Sequence, residues 1–131
     1  MIAVDASAIV ATVKEEPDSE RLGNLLAEGN SVMGAPSLLE TKMVLSKVLS
    51  DADLDLLMSS LVGGGLRVID FTPAMADVAA EAFRRYGRGR GHPAKLNFGD
   101  CMSYAVAKVH GIPLLYKGED FSQTDIVSAL A

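Results

Sequence analysis

The chain is 131 residues long, with a formal net charge of −5, a single cysteine and 49% hydrophobic residues. That length makes one domain, residues 1–131, able to bury roughly two thirds of its unfolded surface, so it needs no disulfide, and Cys101 alone excludes an internal one. A lone Cys, the lack of a basic leader and the lack of an apolar run of about 18 residues point to a cytoplasmic globule without a membrane-spanning segment.

In chain order, MIAV (residues 1–4) reads as a short buried strand that delivers Asp5 to its tip. ASAIVATVKEE (6–16) spaces Ala8, Ile9, Ala11, Thr12 and Val13 for the core face of a helix. Pro17 opens a second helix that runs to Gly29, since Pro suits a first turn and Gly a C-terminal cap. SVMGA (31–35) is an apolar strand. SLLETKMVLSKVLS (37–50) predicts a helix with Leu38, Leu39, Met43, Leu45, Val48 and the stem of Lys42 turned inward. DADLDLLMSSLVGGG (51–65) is a further helix. It is no calcium loop, because Leu56 stands where such a loop needs Gly and Val62 where it needs Glu.

GLRVIDF (65–71) reads as a strand and PAMADVAAEAFRRYG (73–87) as a helix started by Pro73 and stopped by Gly87. GRGRGHPAKLNF is a loop, and GDCMSYAVAKVHG (99–111) a helix ended by Gly111. PLLYK (113–117) is a strand, GEDFSQTDI a polar loop, and IVSALA (126–131) a short strand or helix. Strands separated throughout by helices pair in parallel through crossovers. The pattern predicts a three-layer α/β/α sandwich on a four- or five-stranded parallel sheet.

On this layout the acids fall at one place. Asp5 follows the first strand, Glu40 lies early in the helix after the second, Asp100 starts the helix after the loop, and Glu119 and Asp120 follow PLLYK. All of these are at the carboxyl edge of a parallel sheet, where open α/β folds build their sites. Singly, each has a plain structural role: Asp5 and Asp100 as helix caps, Glu40 as a solvated helix residue, Glu119 and Asp120 as turn residues. Together they would repel one another, and the natural compensation is a hard divalent cation, Mg²⁺ or Mn²⁺, on oxygen ligands. Such a cation suits phosphodiester hydrolysis, which needs an activated water and neutralised charge. No zinc pattern exists: His92 and His110 lie far apart, one packed in a loop and one at a helix end.

The segment RRYGRGRGHPAK (84–95) carries five basic residues and no acid. Arg88, Arg90 and Lys95 are either a solvated face or contacts to nucleic-acid phosphates. Two rival chemistries fit less well. A signalling receiver needs an acidic pair near the first strand, where only Asp5 is present. A dehalogenase-type phosphatase needs an Asp two residues after its nucleophile, where Ser7 stands.

VDASAIVA, SLLE, AFRRYGRGRGHPAKLNFGDCMSYAVAK and PLLYKGEDFSQTDI, which span nearly the whole chain, resemble the PIN-domain ribonucleases, specifically VapC-type toxins of type II toxin–antitoxin pairs. The resemblance implies a metal-dependent endoribonuclease acting on RNA, often a structured RNA of the translation machinery. It also implies a homodimer and a VapB-type antitoxin. The family's acids fall on Asp5, Glu40, Asp100 and the pair Glu119–Asp120, with Asp5 and Asp100 as metal ligands and Ser7 and Asn97 as supporting polar groups. The usual form of the last motif has two Asp residues. Glu119 replaces the first, which leaves open which of the pair sits nearest the metal. The full acid set speaks against a catalytically silent module of the same fold.

Overall fold

In the computed structural model, which describes residues 1–130, four short parallel strands form one sheet: β1 (Ile2–Val4), β2 (Ser31–Gly34), β3 (Leu66–Ile69) and β4 (Leu114–Leu115). Their order is β3-β2-β1-β4, with Ala3 in register with Val32 on one side and Leu114 on the other. Six helices connect and cover them: α1 (Ala6–Val13), α2 (Ser19–Ala27), α3 (Ala35–Leu45), α4 (Asp51–Gly63), α5 (Pro73–Tyr86) and α6 (Phe98–His110).

The three layers follow from strand alternation. Ala3, Val32 and Leu114 point into one core, with Met75, Ala82 and Tyr86 of α5 and Cys101, Tyr104, Ala105 and Val106 of α6. Their neighbours Val4, Met33 and Leu115 point into a second core, with Ala8 and Ile9 of α1, Leu22 of α2, Leu45 of α3 and Leu54 of α4. At the amino edge of the sheet two loops meet at glycines. Gly65 has φ +110°, and a Cβ there would collide with the Gly29 carbonyl, so neither position has room for a side chain.

Several expectations need correction. Leu39, Met43 and Val48 are more than half exposed and Lys42 is exposed too, whereas Ser37, Thr41 and Leu45 are buried. The buried set repeats every four residues, and Thr41 can be buried because its hydroxyl donates to the Ser37 carbonyl at 2.7 Å. Helix propensity therefore located α3 but not its inner face. Pro17 lies outside α2, whose N-cap is Asp18 in left-handed geometry (φ 73°). The helices α1 and α3 stop at Val13 and Leu45, short of Glu16 and Ser50. The C-terminal stretch forms neither a full strand nor a helix: it makes one parallel bridge, Ser128 to Leu114, flanked by two backbone hydrogen bonds.

Candidate active site

Asp5 leaves β1 directly as the N-cap of α1, because its Oδ2 accepts the Ser7 N–H at 3.1 Å. It is only 4% exposed. Its other oxygen accepts the Ser103 hydroxyl of α6 at 2.5 Å, and Ser103 lies 3.1 Å from the buried Ser37 hydroxyl of α3. A chain of short polar side chains thus ties three elements to one carboxylate. Ser7 turns its own hydroxyl to accept the Lys117 N–H at 3.0 Å, which fastens the exit of β4 to the start of α1.

Asp100 sits at the third position of α6 in a capping box. Asn97 Oδ1 accepts the Asp100 N–H at 2.8 Å, and Asp100 Oδ2 accepts the Asn97 N–H at 3.1 Å. The box aims the carboxylate without neutralising it. Burial pushes the Asp100 carboxyl up to about 6; the hydrogen bond from Asn97 and the charge of Arg88 pull down, and the charges of Asp5 and Asp120 push up. Burial also raises Glu40, helped by the charges of Asp5 and Asp100. Glu40 reaches this position because Gly99 leaves space: a Cβ there would lie 2.5 Å from Glu40 Oε2.

The structure therefore brings Asp5, Glu40 and Asp100 into mutual electrostatic reach at the carboxyl edge of the sheet, and Asp120, exposed on its loop, into reach of Asp100. Glu119 is exposed and lies 3.4 Å from the Ser122 hydroxyl of its own turn. Arg88 is the one member of the basic loop whose charge reaches Asp100, while Arg90 and Lys95 are exposed farther along it. The loop is not featureless: Gly87 and Leu96 form a parallel bridge, and His92 Nδ1 accepts the Ala94 N–H at 3.1 Å with its ring edge-on to Tyr86. Three polar or small residues that sequence reasoning passed over shape the site. Ser103 and Ser37 are legible in hindsight, each one helical turn from an acid (Asp100 and Glu40). Gly99 carried no such signal.

None of the cluster acids forms an ion pair among the described residues, where the pairs are Arg21–Asp18, Arg84–Glu81, Lys108–Asp125 and Lys117–Asp18. Nor, among the described residues, do three His, Cys, Asp or Glu side chains stand close enough to make a preassembled cage. The result is an open, oxygen-only anionic cluster without an ion pair, with only the charge of Arg88 acting against it, and such a donor set suits a hard divalent cation.

This charge state has a measurable consequence. Asp100 titrates higher in the folded chain, about 6, than its ordinary 3.8, so the folded state takes up that proton first. Its contribution to stability is present at low pH and lost as pH rises through about 6. Glu40 acts in the same direction. The chelated protein should therefore melt higher at pH 5 than at pH 7, and Glu40→Gln or Asp100→Asn should raise the pH 7 melting temperature and flatten the dependence. A melting temperature that falls from pH 7 to pH 5 in the wild type contradicts this electrostatic picture. Asp125, which is lowered, loses its contribution only at more acidic pH and does not interfere.

Comparison with known proteins gives the chain's family and fold. The PIN domain family model matches residues 2–127. The chain is 43% identical over 125 residues to ribonuclease VapC42 of Mycobacterium tuberculosis, covering 94% of this chain and 95% of that one. It superposes on the crystal structure of M. tuberculosis VapC20, a sarcin-ricin loop cleaving toxin, with a TM-score of 0.77 at 20% identity, covering 98% of each chain. VapBC2 from Rickettsia felis, bound to a DNA fragment of its promoter, gives a TM-score of 0.73 at 16% identity over 98% of this chain and 96% of that one.

Proposed function

This chain belongs to the PIN domain family, and from that premise we propose that it is the ribonuclease toxin of a VapBC-type toxin–antitoxin pair, an endonuclease that hydrolyses RNA phosphodiesters by means of a divalent cation. The observation that carries the proposal is the carboxylate cluster at the sheet's carboxyl edge, none of whose acids forms an ion pair among the described residues. Asp5, Glu40, Asp100 and Asp120 are the residues that would hold Mg²⁺ or Mn²⁺, with Glu119 a neighbour that serves its own turn. When bound, the cation would activate water for attack at phosphorus and neutralise charge on the phosphoryl oxygens.

The chain's own contribution is positioning. The Ser7 N–H and the Ser103 hydroxyl fix the two oxygens of Asp5, and the Asn97 capping box fixes Asp100. Gly99 admits Glu40 beside them. Groups held this way need little reorganisation as the reaction proceeds. Arg88, Arg90 and Lys95 supply the local positive charge that a chain of net charge −5 needs to hold a polyanion. A structured RNA of the translation machinery is the substrate class, and the cytoplasm the compartment. No helix among the described residues is long and apolar enough to cross a membrane.

Two apolar surfaces suit the protein partners. Leu38, Met58, Val62, Leu66 and Val68 line a groove between α3, α4 and the edge strand β3, which fits an amphipathic segment of a VapB-type antitoxin that delivers a basic side chain to the acids. On the other side of α3, Leu39, Met43, Met102 and the 79% exposed Phe98 form the face that fits a second copy of the chain.

Sequencing the 5′ ends of RNA fragments after brief expression tests the activity. Discrete new ends should appear with the wild type and vanish with Asp5→Asn; identical ends in both would remove the acid cluster from the reaction. The basic loop is tested by RNA binding against salt concentration under chelation, which suppresses cleavage. Replacing Arg88, Arg90 and Lys95 by Gln should make the slope of log affinity against log salt shallower by about 2 to 3, while Mn²⁺ affinity does not fall, since the charge lost nearest Asp100 is a positive one. A wild-type slope in the triple variant means the loop does not touch RNA.

A further inference from the structure

The Asp120 loop is gripped at its far end by the same helix that carries Asp100. From β4 the chain runs out through Lys117, Asp120 and a short 3₁₀ turn (Phe121–Gln123), then returns to pair beside β4 at Ser128. Its near end is held by the Lys117 N–H on Ser7 and by Lys117 Nζ on the Pro17 carbonyl at 2.8 Å. Its middle is held by Phe121, buried against Tyr116 with ring centroids 5.0 Å apart. Burial of that kind is non-directional and does not by itself set where the preceding Asp120 points.

The far end is directional. Asp125 Oδ1 accepts the Tyr104 hydroxyl at 2.7 Å and Asp125 Oδ2 accepts Lys108 Nζ at 2.6 Å. Tyr104 is buried on α6 with its hydroxyl committed to this one acceptor, and Lys108 follows it one turn later. One turn before Tyr104 stands Asp100, and beside Tyr104 stands Ser103, which holds Asp5. A single rigid helix thus fixes one acid directly, a second through a serine, and the loop of a third through Asp125.

We propose that Tyr104, with Lys108, is a positioning residue of the active site: through Asp125 it holds the 118–125 loop so that Asp120 meets Asp5 and Asp100 at one cation. This rests on the reading that Asp120 belongs to the cation cluster. A loop-borne carboxylate displaced by about 1 Å loses most of its value as a ligand, and partners outside the ligand set typically change metal affinity by about 10- to 100-fold. Neither Tyr104 nor Asp125 touches the reacting atoms.

The test is a double-mutant cycle read by Mn²⁺ binding to the full chain, followed by calorimetry and by loss of the free Mn²⁺ resonance signal. Tyr104→Phe removes one hydroxyl and keeps the ring, and Asp120→Asn removes the ligand charge. Tyr104→Phe should weaken Mn²⁺ binding about 10-fold in the wild-type background and have no effect in the Asp120→Asn background. Asp125→Asn, which sits at the surface and leaves the core untouched, should reproduce the first result in weaker form. A residue with a merely structural role would lower the melting temperature and leave Mn²⁺ affinity unchanged in both backgrounds, which overturns the proposal. So does a loss of equal size in both backgrounds. If Asp120→Asn itself leaves Mn²⁺ affinity at the wild-type value, the cluster reading fails, and the clamp fails with it.

Discussion

Asp100→Ala, Asp5→Ala and Glu40→Ala each lower kcat/KM for RNA cleavage by about a hundredfold or more, equivalent to about 3 kcal/mol or more of lost transition-state stabilisation. The three acids come from three different elements, so no single local distortion accounts for a shared loss. Asp5→Ala also removes the N-cap of α1, which costs about 1 kcal/mol of stability, and leaves Ser103 with only the Ser37 hydroxyl as a partner. Asp5→Asn is therefore the cleaner companion. Glu40→Ala moves stability the other way in the chelated protein, since it relieves repulsion, whereas Asp100→Ala relieves repulsion but also breaks the capping box with Asn97, so Asp100→Asn is its cleaner companion. Loss of activity with unchanged or raised melting temperature separates chemistry from folding. Full activity in Asp100→Ala removes that residue from the site.

Phe98→Asp converts the proposed homodimer to a monomer at micromolar concentration. Phe98 stands 79% exposed on a ridge between two apolar grooves. One groove is lined by Phe71, Ala76, Ala79 and Phe83, the other by Leu39, Met43 and Val44, with Met102 between them. A knob set beside holes of matching character on one face is what a twofold interface requires, since each copy presents both halves. Contiguous apolar surface of this kind marks a protein contact rather than a polyanion contact. An aromatic anchor at the centre of an interface contributes about 2 kcal/mol or more, and an unpaired buried carboxylate in its place adds a desolvation cost of several kcal/mol. Because the ring is exposed in the single chain, the variant keeps its fold. Sedimentation equilibrium reads the outcome: a dimer that persists in Phe98→Asp excludes this face, and a monomeric wild type excludes the dimer.

How much of this was legible in the sequence depends on which forces decide each feature. Parallel pairing and the three layers follow from apolar strands alternating with helices, and the carboxyl-edge placement of the acids follows from that topology. The inner face of α3 did not follow, because hydrophobicity favours burying Leu39 and Met43, and the fold instead buries Ser37 and Thr41 to bring their hydroxyls against Ser103 and the helix backbone. Two of the exposed residues on α3, Leu39 and Met43, lie on the face proposed for a second copy, and if that dimer forms, a pattern judged for one chain misassigns a surface shared by two. The Glu119–Asp120 ambiguity was likewise beyond sequence. Whether a turn residue faces the cluster or its own Ser122 depends on the path of the loop, which is held by contacts from α1, from Pro17 ahead of α2 and from α6. Ser103 and the Tyr104–Asp125 contact join residues 98 and 21 positions apart along the chain.

The proposed reaction requires that the carboxylate cluster hold a divalent cation and that this cation run RNA hydrolysis. The most direct measurement is cleavage of a defined structured RNA by purified, chelator-treated protein as Mg²⁺ or Mn²⁺ is added back, for the wild type and for Asp100→Asn in parallel. A cation-dependent reaction at these acids predicts no cleavage after chelation, saturable recovery in the wild type, and no recovery at the same ion concentrations in Asp100→Asn although it still binds the RNA. Cleavage that persists in the wild type under chelation, or that recovers equally in Asp100→Asn, contradicts it.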